Sequence, residues 1–286
     1  MKAYATSTQS KYGKQLPLKN SSHNTLSDFK LDIHKILSSK SFRRLKGKTQ
    51  VVIANTGDHY RDRLTHTIQV ANTAQILAES LGLNQDLCKA IALAHDLGHT
   101  PFGHSGEDTM HAMMQMHNQS FEHNLQSIKV VSTLEKISPA FNGLNLHHET
   151  LLGLQKHNQS VQNPSGEQVY HSLESQVVNE ADEITYLYHD LDDAFRGGLI
   201  TLEDLKQLKV YHLIDNPSQQ FEELIQSFYF YFIHNLVQNT TAQIQSQNIQ
   251  TYLDVISHKQ NLVIYSQAAF EAKVNLKQFL LKKFWT

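Results

Sequence analysis

The chain has 286 residues, of which 40% are hydrophobic and 18% charged, and its formal net charge is −2. Such a composition is ordinary for a globular protein with a buried core, and the near-neutral balance argues against a nucleic-acid coat or a membrane-surface protein. Histidine is the outlier: there are 18, many of them between His59 and His189, a clustering that suits metal or phosphate chemistry as well as a His-rich surface.

Residues 1–30 read as a flexible, polar N-terminal arm with no apolar stretch of the kind a signal peptide needs. Leu31 to Leu45 has the spacing of a helix, through Leu31, Ile36, Leu37 and Phe42, and carries the basic run Lys40, Arg43, Arg44, Lys46 and Lys48. A loop follows, with a short strand at Val51–Ile53. Leu64 to Leu81 is a helix stopped by Gly82, and Asp86 to Leu97 is the next. Cys88, the single cysteine, falls on that helix and reads as a buried thiol, consistent with a reducing cytoplasm. Further helices are expected over Glu107–Gln119, Asn124–Ile137 and Glu149–His157. The stretch NQSVQNPSGEQVY reads as a loop, and Ser172 to Phe195 as a long helix ended by Gly197–Gly198. Leu224, Phe228, Phe232 and Leu236 continue at helical spacing. With strands almost absent, the class is all-α. No apolar run approaches the ~20 residues of a membrane span, so no membrane partner and a cytoplasmic location are expected.

The chemistry concentrates in HDLGHTPFGHSGE, His95 to Glu107. Three histidines, an Asp and a Glu stand among small residues, and imidazole with carboxylate suits borderline divalent metals. Glycines beside Asp96 and His104 are expected to let the backbone crowd a ligand. Adjacent residues on a helix point about 100° apart, so His95 and Asp96 can share one ion only at a helix end, and Thr100–Pro101 puts one there. His66 stands upstream in RDRLTHTIQVA, and Asp182 far downstream in NEADEITYLYHDLDDAF.

Histidine, His-Asp and a distant Asp resemble the H…HD…D pattern of the HD phosphohydrolase superfamily. SKSFRRLKGKTQV, RDRLTHTIQVA, ALAHDLGHTPFGHSGE, FEHN, GLQKH and SLESQVVNEADEITYLYHDLDDAFRGGLI are more closely similar to the dGTPase-like deoxynucleoside triphosphate triphosphohydrolases, over roughly residues 35–200. The resemblance implies an HD-domain helical bundle over 31–200 and additional C-terminal helices over 201–286. The chain ends in helical phase, so it is expected to be a short or a truncated member. The resemblance makes His66, His95, Asp96 and Asp182 ligands of a divalent ion (Mn, Mg, Fe, Co or Ni). It makes His104 the catalytic histidine, Glu107 its partnering carboxylate and His123 its support, and it sets His99 against the α-phosphate. Arg44 and Lys156 match nucleotide contacts, and Tyr186 and Asp190 match groups at the deoxyribose.

The implied reaction is metal-dependent attack at the α-phosphorus of a dNTP. It releases a deoxynucleoside, whose 5′-oxygen needs a proton, and tripolyphosphate. A homo-oligomer is implied as well. The alternatives are another HD phosphohydrolase, acting on a different nucleotide, or a non-catalytic nucleotide-binding HD protein. PFGHSGE argues against the first, and the intact ligand set against the second. Arg43 and Lys46 also fit a solvated basic face, and Tyr186 a core position. His111, His117, His147, His148 and His171 fit surface or local hydrogen-bonding roles.

Overall fold

The computed structural model describes residues 1–16, 26–49, 61–155 and 160–284, and of His104 the backbone alone. Val51–Ile53, expected as a strand, lies outside the described residues. The helix expected from Leu31 to Leu45 is two helices, α1 (Asp28–Ser38) and α2 (Lys40–Arg44). Ser39 between them is extended, with ψ 154°, and its hydroxyl accepts from the Phe42 N–H. One serine thus ends the first helix and N-caps the second.

Helix α3 (Arg63–Leu81) starts at Asp62, whose carboxylate accepts from the Thr65 N–H, and ends at Gly82, with φ 70°. That left-handed stop is the one its glycine signals. Helix α4 (Gln85–Ala94) ends three residues before the expected Leu97, which leaves His95 as its C-cap and Asp96 in the following turn. Next come α5 (Gly103–Gln115) and α6 (His123–Lys129). The stretch expected to continue helical to Ile137 instead closes in a π-helical turn, Val130–Leu134. Helix α7 (His148–Gly153) precedes a hairpin of β1 (Val161–Gln162) and β2 (Gln168–Val169), formed inside the expected loop. Helix α8 (Leu173–Arg196) carries Asp182, and α9 (Leu202–Lys206), α10 (Phe221–Ser246), α11 (Tyr252–Ser257) and α12 (Gln267–Lys283) complete the chain. The class is all-α, with that hairpin as the one named sheet among the described residues.

Helix α4 is the centre. Leu87, Cys88 and Ala90 to Ala94 are all buried, and only Gln85, Asp86 and Lys89 near its start reach toward solvent. Helix α3 packs on it and on α8, α1 covers another side, and α10 and α12 back α8. The alanines let the neighbouring helices come close, which brings the ends of α3, α4 and the middle of α8 together. A single cluster of buried side chains runs from Ala5 to Leu280, so the segments expected as arm, core and C-terminal region share one core. Cys88 sits inside it, and burial, reinforced by Glu174, pushes its thiol pKa up, which suits an inert core residue.

Residues 1–16, expected as a loose arm, are instead tied to this core. The Lys2 N–H donates to the Gly82 carbonyl (2.8 Å), and Thr6 donates through its N–H and hydroxyl to Glu174 (2.9 and 2.8 Å). The Lys11 N–H donates to Glu149 (2.6 Å). Glu174 is fully buried, and a buried carboxylate must be met by donors, which the arm supplies. His147 is buried too, and its ring donates to Asp32 (2.9 Å). No helix is long and apolar enough to cross a membrane, among the described residues.

Candidate metal centre and adjoining histidine cluster

His66 enters from the first turn of α3, His95 from the end of α4, Asp96 from the turn beyond, and Asp182 from the middle of α8. The His66 and His95 Nε2 atoms lie 3.1 and 3.4 Å from the same Asp182 oxygen, and His95 Nε2 lies 3.4 Å from Asp96 Oδ1. His66, His95 and Asp96 are buried, and their donor atoms lie within 4.8 Å of one another. The early end of α4 is what permits this, since it turns two adjacent residues toward one point.

The donors fit a divalent ion. His95 donates its Nδ1–H to the Ala92 carbonyl (2.6 Å), which leaves the Nε2 lone pair for a ligand role. Burial alone would raise the Asp96 pKa, but His95, Arg63, His99 and His66 outweigh it and hold the carboxyl well below its usual range. Arg63 donates to the far oxygen of Asp96 (2.7 Å), leaving Oδ1 toward His95. Two imidazoles and two carboxylates without sulfur suit Mn, Mg, Fe, Co or Ni better than a structural zinc site.

A second cluster adjoins the first. Glu107 accepts from the His123 backbone N–H (2.8 Å) and lies 2.9 Å from its Nδ1 through both oxygens. These bonds outweigh the burial that would raise the Glu107 pKa, and lower it. The His99 and His123 rings lie 4.6 Å apart. Glu107 is therefore bound to His123, the residue expected to support His104. The His104 side chain lies outside the described residues, although its backbone stands three residues before Glu107 on α5. Gly98 crowds protein, not a ligand: a Cβ there would lie 2.2 Å from the Ser127 nitrogen on α6. Ser127 links the clusters, donating to the His95 carbonyl (2.7 Å) while accepting from the Gly98 N–H (2.9 Å).

Burial, with Arg63 nearby, lowers the His99 pKa to about 3. In the unfolded chain His99 takes up a proton near pH 6.5, whereas the folded chain resists it down to about pH 3. The stability tied to the neutral ring is thus full above pH 6.5 and lost progressively as pH falls toward 3. His99→Gln is expected to flatten the acid side of the stability curve, and urea unfolding between pH 4 and pH 7 measures it. An unchanged slope would contradict this reading.

Tyr186 and Asp190 lie four and eight residues beyond Asp182 on α8. Asp190 is buried, while Tyr186 is half-buried with the Lys277 ammonium 5.8 Å from its ring centre. Burial, then Glu183, Asp190 and Asp182, push the Tyr186 pKa up, which keeps the phenol neutral. Arg44 is exposed on α2. With Lys40, Lys48, Lys136 and His99 it lines a cleft of about 580 Å³. Lys48 reaches across to the His99 carbonyl (2.5 Å). Lys156 lies outside the described residues. Arg63, Ser127 and His189 were not singled out from the sequence. Only Arg63 leaves a trace there, as the basic residue one turn before His66.

The HD domain family model matches residues 63–187, from Arg63 to Leu187, and the match contains all four candidate ligands. A deoxyguanosinetriphosphate triphosphohydrolase-like protein of Geobacter sulfurreducens is 39% identical over 269 residues, covering 88% of this chain and 69% of its own. One of Thiobacillus denitrificans is 42% identical over 273 residues, covering 89% and 72%. The chain belongs to this dGTPase-like family of HD-domain proteins. A third dGTPase-like relative, from Brucella suis, is 37% identical over 313 aligned positions that cover 99% of this chain and 77% of its own. Similarity to the dGTPase-like family therefore extends beyond the HD region into the C-terminal helices.

Proposed function

We propose that this protein is a metal-dependent hydrolase that cleaves deoxynucleoside triphosphates at the α-phosphate into deoxynucleoside and tripolyphosphate. The observation that carries the reading is the convergence of His66, His95, Asp96 and Asp182 from three helices on one point. The names of its relatives support the substrate class. These four residues would hold a divalent ion, which supplies Lewis acidity toward a phosphate oxygen.

The protein's own groups do the rest. His104, on the helix that carries Glu107, gives the proton needed by the departing 5′-oxygen. Glu107 holds His123 beside His99, which keeps that wall of the site rigid. Arg44 and Lys48 set positive charge at the cleft that His99 borders, where it attracts the phosphates. Asp190 accepts from the 3′-hydroxyl, and Tyr186 fills the space a 2′-hydroxyl would need.

Product analysis tests this directly. Each dNTP incubated with Mn(II), Mg(II) or Co(II) is expected to yield tripolyphosphate, and dGTP to turn over much faster than GTP. Pyrophosphate or orthophosphate as first product would refute the α-phosphate assignment. Equal rates on dGTP and GTP would refute the role of Tyr186.

A further inference from the structure

The second ring nitrogen of His66 has a side-chain partner outside the candidate ligand set. His66 Nδ1 lies 3.3 Å from Nδ1 of His189, seven residues beyond Asp182 on α8. Both residues are 1% exposed, and the rings meet edge to face with centres 5.5 Å apart. The backbone of His189 is fixed in turn: its carbonyl accepts from Arg61, which also pairs with Asp192 and Asp193 at 2.8 Å each.

Two neutral imidazoles joined through Nδ1 allow only two proton arrangements. In one, His189 donates from Nδ1, and His66 carries its proton on Nε2, toward Asp182. That His66 ring has no lone pair for an ion. In the other, His66 donates from Nδ1 and its Nε2 is free to ligate, but His189 must then offer an Nδ1 lone pair and carry its proton on Nε2, which is buried and meets no acceptor among the described residues. The two arrangements hold the same number of protons, so the exchange between them neither takes up nor releases one.

We infer that His189 is a positioning residue for the metal centre: when an ion takes the Nε2 lone pair of His66, in place of the Nε2–H that faces Asp182 without one, His189 accepts the Nδ1–H of that ligating tautomer. The inference rests on the metal-centre reading. It differs from the support given to His95, whose Nδ1–H meets a main-chain carbonyl that no substitution of a side chain removes. His66 depends on a side chain, so its tautomer is open to mutation.

The test uses the whole chain and Mn(II) as the probe, with affinity measured by competition against a chelating dye. His189→Leu removes the acceptor and is expected to weaken Mn(II) binding by about 10–100-fold, the usual loss for a group behind a ligand. His189→Asn puts a carbonyl oxygen where Nδ1 stood and is expected to recover most of that loss. In a His66→Ala background, His189→Leu is expected to cost little more, because the two act through one bond. Melting of the metal-free proteins checks that each is folded. A folded His189→Leu protein that binds Mn(II) like the parent would overturn the inference and leave the metal reading intact. Equal losses in the Asn and Leu variants would overturn it too, since packing rather than the acceptor would then be responsible. A parent that binds no Mn(II) would overturn the metal reading and this inference with it.

Discussion

Asp182→Ala is expected to lose the metal and, with it, turnover on any dNTP. One Asp182 oxygen faces both His66 and His95, at 3.1 and 3.4 Å, so its removal takes away the carboxylate common to the two imidazoles. Its side chain is about a quarter exposed, whereas His66 and His95 are almost fully enclosed. The variant is therefore expected to fold, with a melting temperature near that of the metal-free parent. Loss of a direct ligand should exceed the ~10–100-fold cost of losing a group behind one. Asp190→Asn, two turns along the same helix, should keep the metal and lose substrate affinity. Metal content by mass spectrometry, anomalous scattering at the metal edge and steady-state rates together check this. Full metal content in Asp182→Ala, or an ion bound elsewhere, would refute the assignment.

His104→Ala is expected to lower kcat by ~10²–10⁴-fold, the usual range for general acid–base work, while metal content and dNTP affinity stay as they were. Glu107→Ala is expected to lose less. It frees His123, whose backbone and ring both bind that carboxylate, and so it loosens the start of α6 without removing the proton donor. The double variant should be little worse than His104→Ala, because residues acting as a unit are not additive. If His104 served only as part of the helix start, its loss would cost stability and leave the rate per folded molecule unchanged. Turnover measured beside melting temperature separates the two, and near-native turnover in His104→Ala would end the assignment.

Much of the fold was legible in the chain because helices announce themselves locally. Gly82 marks the end of α3 and Gly197–Gly198 the end of α8, at the residues expected to within one position. Two breaks were not legible. Ser39 interrupts a run in which Ile36, Leu37 and Phe42 fit one helix, and only its capping bond to Phe42 shows two. Helix α4 stops at Ala94 although Leu97 keeps the periodicity, since Leu97 is buried from the turn as well as it would be from a helix.

By itself the sequence determined the class and the chemical types at the centre: helical periodicity, an adjacent His-Asp pair at a helix end, and a His and an Asp on other helices. These are local properties, carried by spacing along one segment. Only the tertiary structure decided which groups stand behind the ligands. Arg63 against Asp96, His189 against His66 and Ser127 against His95 join residues 33, 123 and 32 positions apart. It also seated Glu107 on His123, sixteen residues along the chain. The physical reason is burial. Once α4 is packed against α3 and α8, most polar groups driven inside find a donor or acceptor, many of them across the helix interfaces, and no repeat or spacing within a segment records which one they find.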